Sequence, residues 1–124
     1  VLRKAVGLGY LSHRTTTCGL HVHISRAAFG ETEQEQELSI ARLLYFVEKF
    51  WTGLLRFSRR TERQINRWAA RYGMKLSPKA VMESAKDSRA GRYTAVNLTN
   101  EDTVEIRIFR GTLKYNTLMP RCSW

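Results

Sequence analysis

The chain has 124 residues, and 21 Lys and Arg residues against 11 Asp and Glu residues give it a formal net charge of +10. A hydrophobic content of 43% is too high for an intrinsically disordered chain. No apolar run reaches the roughly 18–20 residues that a membrane-spanning helix requires, so a membrane protein is excluded. The length fits a single domain over residues 1–124.

Residues 18–25 alternate between apolar and polar side chains, which predicts a β-strand. One face of this strand is apolar, and the other carries His21 and His23. The apolar face consists of Leu20, Val22 and Ile24. Gly30 breaks the pattern, and we expect the strand to end before it.

A long helix is predicted from residue 31 to about residue 57. Four glutamates lie in its first turns and arginines follow its end, both of which suit the helix dipole. Apolar residues repeat at helical spacing and include Trp51. Further apolar residues widen this stripe, so we expect burial on more than one side of the helix. They are Leu43, Phe46, Phe50 and Phe57.

Two shorter helices follow. Thr61 and Gln64 form a capping box for a helix over residues 62–72, which Gly73 ends. Arginines at i, i+4 and i+8 are expected on its solvent face, at Arg63, Arg67 and Arg71. Proline after Ser77 suits the first position of a third helix, which we expect to reach about residue 87.

A β-hairpin is predicted over residues 93–109, with strands at 93–99 and 103–109. In its second strand Glu105, Arg107 and Phe109 point away from an apolar face. The expected fold class is therefore α+β. A small antiparallel sheet, formed by the strand 18–25 and the hairpin 93–109, packs against the long helix and the two shorter ones.

The positive charge is concentrated in residues 56–92, where eleven Lys and Arg residues face three acidic residues. Two explanations stay open: a solvated basic surface, and a patch that binds an acidic partner, either nucleic acid or a nucleoprotein complex. A homodimer is also possible. The candidate partner-binding residues are Arg56, Arg59, Arg60, Arg63, Arg67 and Arg71.

Two cysteines, Cys18 and Cys122, are too few for a disulfide framework, and the N-terminus lacks the apolar stretch of a signal peptide. Both features favour a cytoplasmic location, which is the host cytoplasm if a phage encodes the chain. The sequence starts without Met and reaches a motif almost at once. This suggests either a piece of a larger protein or an open reading frame with a non-standard start.

The two polar strand faces suggest a metal site. If they lie on the same side of one sheet, His21, His23 and Glu105 converge as two imidazoles and one carboxylate, a set that suits zinc. Cys18 is out of phase and needs a bulge to join, and a role for Cys122 stays open. The alternative is a pair of ordinary hydrogen-bonded histidines.

Four segments resemble the amidoligase family, which belongs to the carboxylate–amine ligase group of glutamine synthetase and glutamate–cysteine ligase. The segments are residues 18–25, 59–64, 92–98 and 104–113. The resemblance covers roughly residues 17–118 and implies the C-terminal half of an amidoligase catalytic domain. The chain resembles a truncated member of the family, of the phage or mobile-element type.

The resemblance also implies roles for single residues. It implies that His21 and Glu105 bind a divalent ion, with His23 beside them. It also implies that Arg107 binds nucleotide phosphate, with help from Arg92. The implied reaction uses ATP and Mg²⁺: a carboxylate is phosphorylated and then attacked by an amine. However, the family's further metal-binding carboxylates precede the histidines, and this chain has no Asp or Glu there.

Three functions are compatible with these observations. The first is a non-catalytic metal-binding protein whose arginine-rich face binds nucleic acid or a nucleoprotein, such as a phage inhibitor of host defence of the anti-CRISPR type. The second is an ATP-dependent amidoligase that needs a second chain or an upstream segment. The third is a fragment without activity of its own.

Overall fold

The computed structural model of the protein describes residues 1–12, 15, 18–86 and 93–122, the last three of them as backbone only. Within these residues there are six α-helices: α1 (Leu2–Gly7), α2 (Glu33–Lys49), α3 (Trp51–Ser58), α4 (Glu62–Trp68), α5 (Pro78–Lys86) and α6 (Tyr115–Cys122). There are three strands: β1 (Gly19–Ser25), β2 (Val96–Asn97) and β3 (Thr103–Arg110). The predicted α+β class is confirmed. None of the described helices has both the length and the apolar character needed to cross a bilayer.

The three strands form one antiparallel sheet in the order β1-β3-β2, so β3 is central. Its residue Glu105 is paired with His23 of β1 on one side and with Asn97 of β2 on the other. The first strand of the hairpin is shorter than predicted, because the segment before it bonds elsewhere. Thr94 forms a parallel bridge with Ala70, and regular pairing with β3 begins at Val96.

A β-bulge lies where β1 and β3 meet near the histidines. The register shifts between Leu20 and Val22, so that His21 faces two residues of β3 instead of one. The bulge interrupts strict alternation along β3. Phe109, expected on the polar face, is instead fully buried in the core and packs edge-on against Phe57.

The predicted single helix over residues 31–57 is wrong, since the chain breaks at Phe50 into α2 and α3. Phe50 has φ −102° and ψ 22°, but its N–H still donates to the carbonyl of Phe46. The two helices pack on different elements: α2 packs on α5, whereas α3 packs on β3. Burial on several sides is also wrong, because Phe46, Phe50 and Phe57 are exposed.

The second predicted helix ends at Trp68 and not at residue 72. A buried carboxylate explains the early end. Glu48 of α2 accepts hydrogen bonds from the backbone N–H of Tyr72 at 2.7 Å and from Arg71 Nε at 2.8 Å. A buried carboxylate must be satisfied, and a helix continuing to residue 72 would not present these groups to Glu48. Arg71 is therefore not the third member of a helical arginine stripe.

The remaining helices agree only in part with those predicted from the sequence. α5 begins and ends within a residue of the prediction. The Ser77 hydroxyl caps its first turn by accepting a hydrogen bond from the backbone N–H of Ala80. The short helix α1 has no counterpart in the sequence analysis. α6 continues through Pro120 to residue 122 and also has no counterpart there.

Candidate functional site

Glu105, on the central strand, is the centre of a polar cluster. Its side chain is nearly fully buried, and its Oε1 lies 2.9 Å from His21 Nδ1 and accepts a hydrogen bond from Arg107 Nη1 at 3.1 Å. Its Oε2 accepts a hydrogen bond from Asn97 Nδ2 at 2.7 Å. Neighbouring strands on both sides therefore hold this carboxylate in place.

His23 is more loosely attached to the same cluster. Its Nε2 lies 3.6 Å from Glu105 Oε1, beyond hydrogen-bond distance, and its Nδ1 lies 3.2 Å from the hydroxyl of Thr103. The three residues predicted to converge, His21, His23 and Glu105, are thus brought together. The cause is the register, which pairs His23 with Glu105 directly.

The ionisation of the cluster follows from its surroundings. Burial raises the pKa of Glu105, but the hydrogen bond from Asn97, the positive charge of Arg107 and the nearby histidines outweigh this and lower it overall. Burial and then the charge of Arg107 lower the pKa of His21, against the opposing effect of Glu105. The cluster therefore favours an ionised carboxylate and a neutral imidazole.

The described residues do not fit a metal centre as they are arranged. In the part of the chain that the structure describes, no group of three or more His, Cys, Asp or Glu side chains is placed to hold an ion. The carboxylate of Glu105 is already shared by Arg107, Asn97 and His21. Arginines beside it repel a cation. Zinc binding is therefore a prediction from the sequence that the observed arrangement does not favour.

Cys18 does not complete such a site among the described residues. Cys18 is exposed and lies just before β1, at the edge of a neighbouring cavity. The side chain of Cys122 lies outside the described part of the chain.

An open cavity of about 770 Å³ adjoins the cluster. His21, Arg60 and Arg107 line its polar side, and Trp68 and Tyr93 form an aromatic wall with ring centroids 5.9 Å apart. Such a cavity is large enough for a small-molecule substrate. Because two guanidinium groups line it, we expect an anionic ligand.

The predicted partner-binding arginines divide into three groups. Arg56, Arg59, Arg63 and Arg67 are exposed. Arg60 is half-buried and lines the cavity, so it does not share their surface. Arg71 pairs with Glu48. The predicted catalytic residue Arg92 lies outside the described residues.

Sequence reasoning missed Asn97, Trp68 and Tyr93 as site residues. The hairpin register offered a signal for Asn97, because a residue paired with Glu105 on the next strand shares its face. Trp68 lies within the predicted helix over residues 62–72, and no local pattern links it to Tyr93. The two rings meet because the chain between them bonds back through the bridge of Ala70 with Thr94.

Comparison with known proteins agrees with the resemblance seen in the motifs. The family described as "putative amidoligase enzyme" matches residues 1–124, the whole chain. No curated protein and no solved structure matches it. Because the family match extends over the full sequence, the chain belongs to the amidoligase family.

Proposed function

We propose that this chain carries the phosphate-binding part of an ATP-dependent carboxylate–amine ligase site. The observation that carries the proposal is the pair of cavity-lining arginines, Arg60 and Arg107, beside a carboxylate that Asn97 and His21 hold in place. Membership of the amidoligase family supports the reaction class.

The reaction has two steps. A carboxylate oxygen of the acceptor attacks the γ-phosphorus of ATP, the bond to the β–γ bridging oxygen breaks, and ADP leaves. An amine nitrogen then attacks the acyl carbon, the carbon–oxygen bond to phosphate breaks, and the amine loses a proton. The phosphoryl group carries negative charge when it is transferred in the first step and when it leaves as phosphate in the second. Catalysis therefore depends on groups that hold and neutralise phosphate oxygens.

The residues of the cluster have separate tasks in this proposal. Arg107 binds the transferring phosphate, and Glu105 fixes the Arg107 guanidinium through the contact at 3.1 Å. Asn97 and His21 fix Glu105 in turn. The aromatic wall of Trp68 and Tyr93 excludes water from one side of the cavity and offers an apolar surface to the substrate.

An assay with hydroxylamine as the amine tests the proposal. The protein is incubated with ATP as its magnesium complex, a mixture of amino acids and other small carboxylates, and hydroxylamine, and hydroxamate and ADP are measured. We expect both products in equal amounts. We expect Arg107→Met to abolish them and Arg42→Met, at an exposed arginine of α2, to leave them unchanged. If the protein neither binds ATP nor forms hydroxamate, the proposed function is wrong.

A second candidate function is binding of nucleic acid by the exposed arginines. Arg56, Arg59, Arg63 and Arg67 lie within twelve residues around the junction of α3 and α4, and all four are exposed. Such a density of exposed arginine suits a phosphate backbone or an acidic nucleoprotein surface.

Charge reversal separates this surface from the fold. We expect Arg63→Glu with Arg67→Glu to weaken binding of a labelled oligonucleotide and to change the free energy of unfolding by less than about 1 kcal/mol, because both side chains are exposed. Arg71→Glu should instead lower the free energy of unfolding by about 2–3 kcal/mol. This change removes the ion pair of the buried Glu48 and places a second carboxylate opposite it. Anisotropy titrations at several salt concentrations and urea unfolding provide the measurements. Binding that is insensitive to salt and to the double variant would contradict the candidate.

A further inference from the structure

We propose that Arg60 is a second anion-binding residue of this site, which holds the same phosphate group as Arg107, and that Gly19 lacks a side chain so that the Arg60 guanidinium can reach this position. The inference rests on the proposed function, because it adds a residue to the phosphate site named there. It also overturns the expectation that Arg60 belongs to the exposed basic surface.

The turn after α3 separates Arg60 from its neighbour. Arg59 has φ 58°, a left-handed conformation that ends the helix, and its side chain is exposed. The backbone N–H of Arg60 donates to Ser58 Oγ at 3.1 Å, and this buried hydroxyl donates to the carbonyl of Leu55 at 2.7 Å. The turn is therefore fixed, and consecutive arginines lie in different environments: Arg59 in solvent and Arg60 at the cavity.

The Arg60 guanidinium crosses the backbone of β1 at Gly19. A Cβ atom built on Gly19 would lie 2.3 Å from Arg60 Nη2 and 3.1 Å from His21 Nε2. Atoms cannot approach that closely, so any side chain at position 19 displaces the end of Arg60. The strand itself need not move, because both neighbours are ends of side chains.

Both arginines have unused hydrogen-bonding capacity. Nη1 of Arg60 and Nε of Arg107 are buried and have no hydrogen-bond partner among the described residues. Burial, together with the charges of Arg107 and Arg110, lowers the pKa of Arg60. Buried guanidinium nitrogens without partners are costly in a folded protein. An anion in the cavity that both arginines line would offset the repulsion between their guanidinium groups.

The local charge favours an anion over a cation. Among the described residues of the cluster, Glu105 is negatively charged, whereas Arg107 beside it carries a positive charge. Arg60 lies close to the positive charges of both Arg107 and Arg110. A phosphate group carries enough charge and enough acceptor oxygens for two arginines at once. A single carboxylate could also bind, and the experiment therefore includes one.

The test is calorimetric titration of the full chain with pyrophosphate, with ATP and, in a separate arm, with glutamate. We expect Arg60→Met to weaken pyrophosphate and ATP binding at least about tenfold, as for a lost hydrogen bond to a charged group. Arg42→Met is the control and should stay within about twofold of the unchanged protein, because Arg42 is an exposed arginine of α2 outside the proposed binding surfaces.

Gly19→Ala tests the geometry without removing any charge. It should weaken pyrophosphate binding as Arg60→Met does, and the double variant should be no weaker than Arg60→Met alone, because both changes remove the same contact. A melting curve of each variant confirms that it is folded. If Gly19→Ala does not fold, the comparison of Arg60→Met with the control Arg42→Met still tests the inference.

The outcomes separate this inference from the proposed function. If Arg107→Met loses pyrophosphate binding and Arg60→Met does not, Arg60 is no anion ligand and the proposed function stands. If the unchanged protein binds neither pyrophosphate nor ATP, both are wrong. If Arg60→Met affects only glutamate, Arg60 does not hold phosphate and the inference is wrong.

Discussion

Arg107→Met should lower the affinity for ATP by at least about 100-fold, the loss expected when one partner of a buried charge pair is truncated. Arg107 is nearly buried, lines the cavity and shares Glu105 Oε1 with His21. Its guanidinium donates a hydrogen bond of 3.1 Å to the carboxylate that organises the site. Without it, Glu105 would repel any phosphate that enters the cavity.

Arg107→Lys makes the matched comparison, because it keeps the charge and loses the planar guanidinium. We expect it to bind ATP with an affinity between those of the unchanged protein and Arg107→Met. Equilibrium dialysis with labelled ATP provides the affinities, and urea unfolding shows whether each variant is folded. Unaltered ATP affinity in a folded Arg107→Met variant would remove Arg107 from the site.

Trp51→Ala should lower the free energy of unfolding by about 3–5 kcal/mol, as for a large aromatic side chain of the core. Trp51 is the first residue of α3 and is 8% exposed. The guanidinium of Arg71 lies over its ring, 5.1 Å from the centroid. Truncation therefore creates a cavity and also loosens the segment that Glu48 holds.

Phe50→Ala is the control for this prediction, because it lies next to Trp51 along the chain and is 51% exposed. We expect it to cost less than about 1 kcal/mol. Unfolding curves in urea give both values. Equal costs for the two variants would mean that the break between α2 and α3 is misplaced.

Local patterns predicted most of the sheet and the core of the site. The alternation in residues 18–25 places His21 and His23 on the exposed side of β1, as observed, because the apolar face has the core to pack against. Glu105 was predicted to meet them, and it does, because β1 and β3 are neighbours in the sheet. Period-two patterns are reliable where one face is buried.

Contacts between distant segments explain what the sequence could not predict. Arg60 and Arg71 both lie in a run that reads as one basic stripe. However, a left-handed residue at Arg59 turns the first toward Gly19, and the buried Glu48 draws the second out of the helix. Neither effect has a local signature, because each depends on a residue more than twenty positions away. A functional arginine and a structural one therefore have the same appearance in the sequence.

The most direct test of an anion site at this cluster is calorimetric titration of the same protein with pyrophosphate and, separately, with zinc. We expect pyrophosphate to bind at one site per chain, weakened by Arg107→Met, and zinc to show no stoichiometric binding that depends on His21. One equivalent of zinc, lost in His21→Ala and accompanied by no pyrophosphate binding, would contradict the proposal. That result would favour the metal centre expected from the two histidines and the carboxylate.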